Sequence, residues 1–556
     1  MVLRNFSSLI CCVIFFTFFS TFSFGQNLLL KLLSKNEKEL KILQELDYLK
    51  THKTEKSVYL EANRIADYLI EDGFFLSIVD SIVKTDSLYI ANFSLNQKIR
   101  NAVLKITNGL RLIPEKYILK NDSLYISTNE ISDLLKSVSA KLDDGGKLFS
   151  EVQLKNIRVV NNLLLADLSI QESNKRKIDK IIIKPYQDFP KSFLKQYLKI
   201  NESTLFNKKK TLKISEATKN LIFASEIKKP EVLFTRDSTL LYLYIKKEQN
   251  NSFDGLINFA STENGGFLFN GHLDLKLNNV LNTGESFALF WNSIADEVQD
   301  FKIETAIPFI FSSPFSTNLA FNIYKQDSTF LNTKFRNEIL YTLNSKSNLF
   351  VSYSSENSNA LNNTTQEVLN FDKNLFGLGF NYKIGNENKF FENTFQIGIS
   401  AETGNRKTEN IKTNQIELNF NTSYLWQINY RNSIYLKNES ALLNSDNYLN
   451  NELFRIGGAN SIRGFNEQSI YATKYTFFNT EYRYLTSETS YLFSITDFGT
   501  YYNTTTENSF ILGFGLGYTF KTGNNTFKLS YALGKNQDEN IYINQSKVIV
   551  NWTTQF

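Results

Sequence analysis

The residues in this sequence best suited to a specific chemical contact are one arginine and the glycines around it. The stretch runs Leu453-Phe454-Arg455-Ile456-Gly457-Gly458-Ala459-Asn460-Ser461-Ile462-Arg463-Gly464-Phe465. A Gly-Gly pair lets the backbone turn where a side chain would clash. Arg463 sits between Ile462 and Gly464, with Phe465 behind it. The pattern predicts a loop folded back into a confined space, delivering one guanidinium to an acidic partner. Such a contact pins a structure rather than transforming a substrate, because a two-pronged arginine–carboxylate bond is geometrically specific. Signals for catalysis are poor. The histidines are His52 and His272, and neither has ligand spacing around it. There is no P-loop, dinucleotide fingerprint or Gly-x-Ser-x-Gly elbow. Lys208-Lys209-Lys210 is expected to be a solvated turn. The chain is read as no enzyme, with no catalytic residue, metal or cofactor expected.

At 556 residues the chain exceeds one ordinary domain. A net charge of +5 is small for this length and gives no nucleic-acid signature. Aromatic residues make up 14%, with Phe and Tyr dominating, which is high for a soluble enzyme. Beyond the N-terminus no apolar run reaches the roughly 18–20 residues of a spanning helix. Spanning a membrane would therefore require a closed β-barrel. Residues 1–25 have the pattern of a secretory signal peptide, with Arg4 as the basic region and residues 9–19 apolar. Ser23 and Gly25 are the small residues before an expected cut that leaves Gln26 first. Both cysteines, Cys11 and Cys12, fall inside this segment. Thiol catalysis and cysteine–zinc sites are thereby excluded from the exported chain.

A pinned loop needs a frame, and the chain offers two textures. In residues 28–50, Leu28, Leu29, Leu32, Leu33, Leu40, Leu43 and Leu46 lie broadly on one stripe, which predicts a helix. It fits the core of a small domain, with an N-terminal plug helix as the alternative. A helix at 59–70, a turn at Asp72-Gly73 and alternating runs at 76–83 and 87–94 follow. The order recurs as a strand at 99–106, a helix at 130–142 ended by Gly145-Gly146, and a hairpin of 152–160 and 162–171. A third copy has a strand at 177–186, helices at 191–199 and 213–224, and strands at 231–235 and 239–247. Strand, two helices and two strands in roughly 70–75 residues make a compact α/β repeat. The second copy has a less obvious first helix, and the first lacks a clear opening strand.

From Ser252 the helical patterns stop. Strands are expected at 253–262, 267–278, 285–294, 300–309, 315–325, 331–343, 348–356 and 372–384. Eight more follow at 392–403, 415–427, 433–443, 475–485, 490–503, 510–521, 526–534 and 547–556. These are about sixteen strands of the length a tilted barrel wall needs. In 510–521, Leu512, Phe514, Leu516, Tyr518 and Phe520 share a face suited to lipid, while Gly513, Gly515 and Gly517 leave room inside. In 475–485, Phe478, Tyr482 and Tyr484 face outward, and Asn479, Glu481 and Arg483 inward. The last strand puts Val548, Val550, Trp552 and Phe556 outward, with Asn551, Thr553 and Gln555 inward. A soluble sandwich would have to bury these faces against a second sheet.

The glycine–arginine stretch resembles the lumen-loop motif of the outer-membrane BamA–TamA superfamily, carried here by Gly457, Gly458, Ile462, Arg463, Gly464 and Phe465. The α/β repeats resemble its POTRA domains. Trp552 and the aromatic Phe556 resemble the C-terminal signal by which such barrels are recognised for assembly. In that family the arginine pairs with the acid of a Phe-x-Asp-x-Gly pattern on the thirteenth strand. Here the region is Ile495-Thr496-Asp497-Phe498-Gly499, so Asp497 and Gly499 match and Ile495 replaces the aromatic. The resemblance implies an Arg463–Asp497 pair, with Glu481 as the alternative acceptor. The expected organisation is a signal peptide over 1–25 and a helical segment with a partial repeat over 26–97. POTRA-like domains over 98–175 and 176–250 and a barrel over 251–556 complete it. The resemblance further implies an outer-membrane location with the repeats in the periplasm. It implies unfolded outer-membrane or secreted proteins as clients, and a periplasmic or inner-membrane partner reached through the repeats. The implied function is TamA-like assembly or translocation through a barrel that opens between its first and last strands. The alternatives are a two-partner-type pore for one dedicated passenger, and a passive or structural barrel.

Overall fold

The structure is a computed structural model that describes residues 27–117, 119–261, 267–294, 298–362, 368–386, 390–391, 393–504, 509–537 and 545–556. The expected signal peptide and its cut after Gly25 lie outside these residues. The chain divides into two compact units, Met1–Arg176 and Lys177–Phe556.

The first unit holds two α/β domains. In the first, strands β1 (Leu28–Leu33), β2 (Thr51–His52), β3 (Ile78–Thr85) and β4 (Leu88–Ser94) pack under helices α1 (Glu37–Glu45) and α2 (Glu55–Glu71). The sheet order is β2-β1-β4-β3, with β1 parallel to β4. The single helix expected over 28–50 is thus corrected, and with it the plug alternative. Leu30 and Leu32 alternate into the core, and the segment pairs along β4 instead of coiling. The Asn36 side chain then accepts from the Lys38 amide and starts α1. Leu43, Val58, Ile65 and Leu69 close the core over Tyr89 and Phe93.

The second domain contains β5 (Asn101–Ile106), β6 (Leu119–Lys120), β7 (Ser123–Ser127), α3 (Ile131–Asp144), β8 (Glu151–Val160) and β9 (Leu163–Gln171). Its order is β6-β7-β5-β9-β8, again with the opening strand parallel to the last. The weak first helix is here a hairpin. Asn121 and Asp122 both take positive φ, which a tight two-residue turn requires.

In the second unit, β10 (Lys180–Pro185), a π-helical turn Phe193–Tyr197, α4 (Lys208–Thr218), β11 (Ala224–Phe234) and β12 (Thr239–Lys247) form the third domain, with order β10-β12-β11. The expected solvated turn at Lys208-Lys209-Lys210 is corrected: these residues are the first turn of α4. The Asn207 side chain caps it by accepting from the Lys210 amide.

The barrel is closed, antiparallel and sixteen-stranded. Its first half is β13 (Ser252–Ser261), β14 (Phe267–Asn278), β15 (Ser286–Ile294), β16 (Val298–Ile307), β17 (Phe315–Gln326), β18 (Phe330–Asn344), β19 (Ser347–Ala360) and β20 (Phe371–Gly385). Then come β21 (Asn393–Lys407), β22 (Lys412–Gln427) and β23 (Asn432–Ser445). A hairpin within the next loop, β24 (Phe454–Ile456) and β25 (Ile470–Ala472), precedes β26 (Lys474–Ser487). The wall ends with β27 (Ser490–Tyr502), β28 (Ser509–Thr522), β29 (Asn525–Asn536) and β30 (Lys547–Gln555). Period-two alternation puts apolar side chains outside, as with Phe376 (63% exposed), Leu378 (67%) and Leu516 (69%). Inside, β18 to β22 carry a buried ionic band. Lys373 lies 3.5 Å from Glu356 and 3.7 Å from Glu417, and Arg336 pairs with Glu338 and Glu402. A charged inside and an apolar outside identify a membrane-spanning barrel.

The third domain is seated on the barrel's turns. The Tyr197 hydroxyl donates to Ser345 O (3.0 Å), and burial pushes its ionisation well above the ordinary tyrosine range. Asn220 donates to Ser345 O and accepts from the Gly385 amide. Tyr186 bonds both Asn279 and Asn282 at 2.8 Å. Phe193 meets Phe309 edge-on at 4.8 Å, a contact worth about 0.5–1.5 kcal/mol beyond its burial.

Candidate functional site

The loop between β23 and β26, the eleventh and twelfth wall strands, folds into the lumen. Gly457 and Gly458 take φ of +107° and +100°, and Gly464 takes +96°, a region that side chains rarely adopt. The turn is tied by the Gly457 amide donating to Ser461 Oγ (2.7 Å) and the Gly458 amide to Ile462 O (3.1 Å). Ile462 is fully buried with Ile456, Phe477 and Ile511, and Phe465 packs against them. These contacts aim Arg463 at the wall.

The guanidinium meets both candidate acids at once. Arg463 Nε donates to Asp497 Oδ2 (2.8 Å) and Nη2 to Oδ1 (2.6 Å), while Nη1 reaches Glu481. The Arg463 backbone amide also donates to Asp497 Oδ2 (2.9 Å). Asp497 is wholly buried on β27, and Glu481 stands on β26. Arg483 Nε donates to the other oxygen of Glu481 (2.8 Å), so this acid bridges two arginines. The arrangement holds charge and geometry.

Sequence reasoning missed the floor beneath the loop. A Cβ at Gly513 would lie 2.2 Å from Arg463 O, and one at Gly534 would lie 2.7 Å from Gly464 O. The tip rests on bare backbone of β28 and β29. The Gly513-x-Gly515-x-Gly517 alternation was the available signal, though its occupant was not readable. Gly499 lets β27 approach Phe477 closely, since a Cβ there would lie 2.5 Å from Thr476 O. Ile495 is buried beside Phe493 and Tyr491. The loop is also held by Asn479 Nδ2 donating to Ser461 O (2.7 Å) and Lys437 Nζ to Asn460 O (3.1 Å).

The second feature is the seam. Among the described residues, β13 and β30 pair only at Ser252–Gln555 and Phe253–Thr554, with the Phe556 amide donating to Asn251 O (2.9 Å). On its other side β30 pairs with β29 continuously from Asn525–Thr554 to Ala532–Lys547. Trp552 stacks on Phe527 at 5.6 Å and donates to Asn525 Oδ1 (3.1 Å). His52 is buried against Leu49 O (2.7 Å), and His272 lies 4.0 Å from Asp254. Among the described residues no cluster of His, Cys, Asp and Glu has the makings of a metal site.

Neither a family model nor a curated protein sequence matches this chain. Solved structures do. CdiB from Escherichia coli is 11% identical, and the match covers 90% of this chain and 98% of that one with a TM-score of 0.53. CdiB from Acinetobacter baumannii is 12% identical over 78% of this chain and 83% of that one, with a TM-score of 0.50. BamA from Haemophilus ducreyi lacking POTRA domains 1-3 is 13% identical over 77% and 93%, with a TM-score of 0.42. The fold is thus the one implied by resemblance to the BamA–TamA superfamily: α/β domains of POTRA type followed by a closed sixteen-stranded barrel of the outer-membrane kind.

Proposed function

We propose that this protein is a TamA-like outer-membrane factor that takes client proteins from periplasmic α/β domains and passes them to a barrel opening at its seam. The observation that carries the reading is the pair of residue contacts joining β13 to β30. Unpaired backbone groups facing lipid cost several kcal/mol each, so a seam this short favours any strand able to complete it. The α/β domains supply matching edges. β3, β8 and β11 each end a sheet. They expose Ile78 and Val83, Ile157 and Val160, and Ile227 and Leu233. Strand addition to such edges binds extended chains. The proposal requires no catalysis and no cofactor.

A disulfide across the seam tests it. Phe253→Cys with Thr554→Cys places thiols on facing residues, and the native cysteines lie only at positions 11 and 12. Oxidation is expected to deplete several unrelated barrels or surface proteins from outer-membrane and secreted fractions, with recovery on reduction. Loss of one secreted protein alone would favour the dedicated passenger pore. Unchanged fractions, on locking and on depletion of the protein, would leave the passive barrel.

A further inference from the structure

The loop that carries Arg463 is held at a second place on the wall. Its opening turn, Asn450–Glu452, is buried against the wall. Glu452 receives Arg406 Nη1, Gln415 Nε2 (2.8 Å) and the Leu449 amide (2.9 Å). Asn332 Nδ2 donates to Asn451 O (2.6 Å). Asn451 Nδ2 in turn reaches Ser358 Oγ (2.7 Å) and Leu369 O (2.8 Å). Arg406, only 2% exposed, also binds Asn447 and Thr413. Asn332, Ser358, Arg406, Thr413 and Gln415 belong to β18, β19, β21 and β22. Between the two ends of the loop, the Arg455 guanidinium stacks 3.6 Å over Tyr324, and Tyr471 donates to Gln326 (3.2 Å), both on β17.

The two anchors are unequally satisfied. At the tip, Arg463 engages Nε, both Nη atoms and its backbone amide. At the base, Arg406 Nε, Gln415 Oε1 and Asn451 Oδ1 are buried without a hydrogen-bond partner among the described residues. Each such atom carries a desolvation cost that no protein partner among the described residues offsets, and a partly satisfied network is weaker than a complete one. We propose that Asn451, Glu452 and Arg406 form a second latch, which positions the loop across the lumen and releases before the latch at Arg463. The inference concerns occupancy of the lumen and holds whichever client the barrel serves.

The test uses the full chain in planar bilayers, with heat-modifiable gel migration reporting a folded barrel. Arg406→Ala and Asn451→Ala are expected to raise mean conductance several-fold. The charge swap Arg406→Glu with Glu452→Arg should bring it back toward the native level. In the native chain, amide exchange over 449–453 should precede exchange over 461–465, which decides the release order even where a variant does not fold. Native-like conductance in both alanine variants would overturn the second latch. So would a swap that conducts like Arg406→Ala, because the loss would then not be specific to the pair. Earlier exchange over 461–465 would overturn the order of release.

Discussion

Arg463 and Asp497 depend on each other unequally. Glu481 keeps Arg483 when Arg463 is removed, whereas the Asp497 carboxylate accepts two bonds from the Arg463 side chain and one from its backbone amide. Truncating one partner of a buried ion pair leaves an uncompensated charge and costs about 3–5 kcal/mol. Arg463→Ala should therefore lower the unfolding free energy of the barrel, read from urea titration, by an amount in that range. Arg463→Ala with Asp497→Ala together should recover part of the loss. A double variant no more stable than Arg463→Ala would contradict the account. The glycine floor makes a separate prediction. A methyl group at Gly513 meets backbone, not a side chain free to rotate. Gly513→Ala should cost about 1–3 kcal/mol, as overpacking does, and make the loop tip accessible to protease. A protected tip in that variant would count against a tip resting on β28. The motif residues themselves were legible because their types are unusual together. The twofold use of Arg463 was not, since spacing along the chain cannot tell one acid from two that converge from neighbouring strands.

Elements were legible where period and surroundings agreed. The barrel strands alternate for nine or more residues, so even their uncertain ends fell close to the sixteen found. The failures have physical causes. Leu28–Leu33 is almost all leucine, a composition that fits a helical stripe as well as a strand, and pairing with β4 decided it. Lys208-Lys209-Lys210 looks solvated, but a capped helix start tolerates lysines that point outward. The hairpin β6–β7 replaces a helix using two residues in the left-handed region. At the junction of the third domain with the barrel, Asn220 serves two backbone groups at once. Asn220→Ala would leave them unmade, at about 1–3 kcal/mol. Faster amide exchange at Gly385 is the expected result, and unchanged exchange there would show that the contacts of Tyr186, Phe193 and Tyr197 hold the junction without Asn220.

At the scale of the molecule, sequence showed a barrel with a loop inside it but not where the loop's base lies. Arg406 and Glu452 are 46 residues apart, and Asn332 and Asn451 are 119 apart. Pairing of the consecutive wall strands β18 to β23 brings them together. The loop's contacts among the described residues run from Asp300 on β16, through Gln468 (3.1 Å), round to Gly534 on β29. A ring braced along that arc is stiff in the way a spoked wheel is stiff, and its compliance collects where the described residues carry no spoke, along β13, β14, β15 and β30. The turn joining β14 to β15 is in turn fastened to the third domain through Tyr186. The two seam pairs lie at this same fastened end. Contacts fix this sector at the rim beside the third domain, so it bends as a cantilever held at that rim. Any aperture in this wall would be wedge-shaped, widest far from that domain, and a strand entering it would be threaded tip-first into the narrowing end.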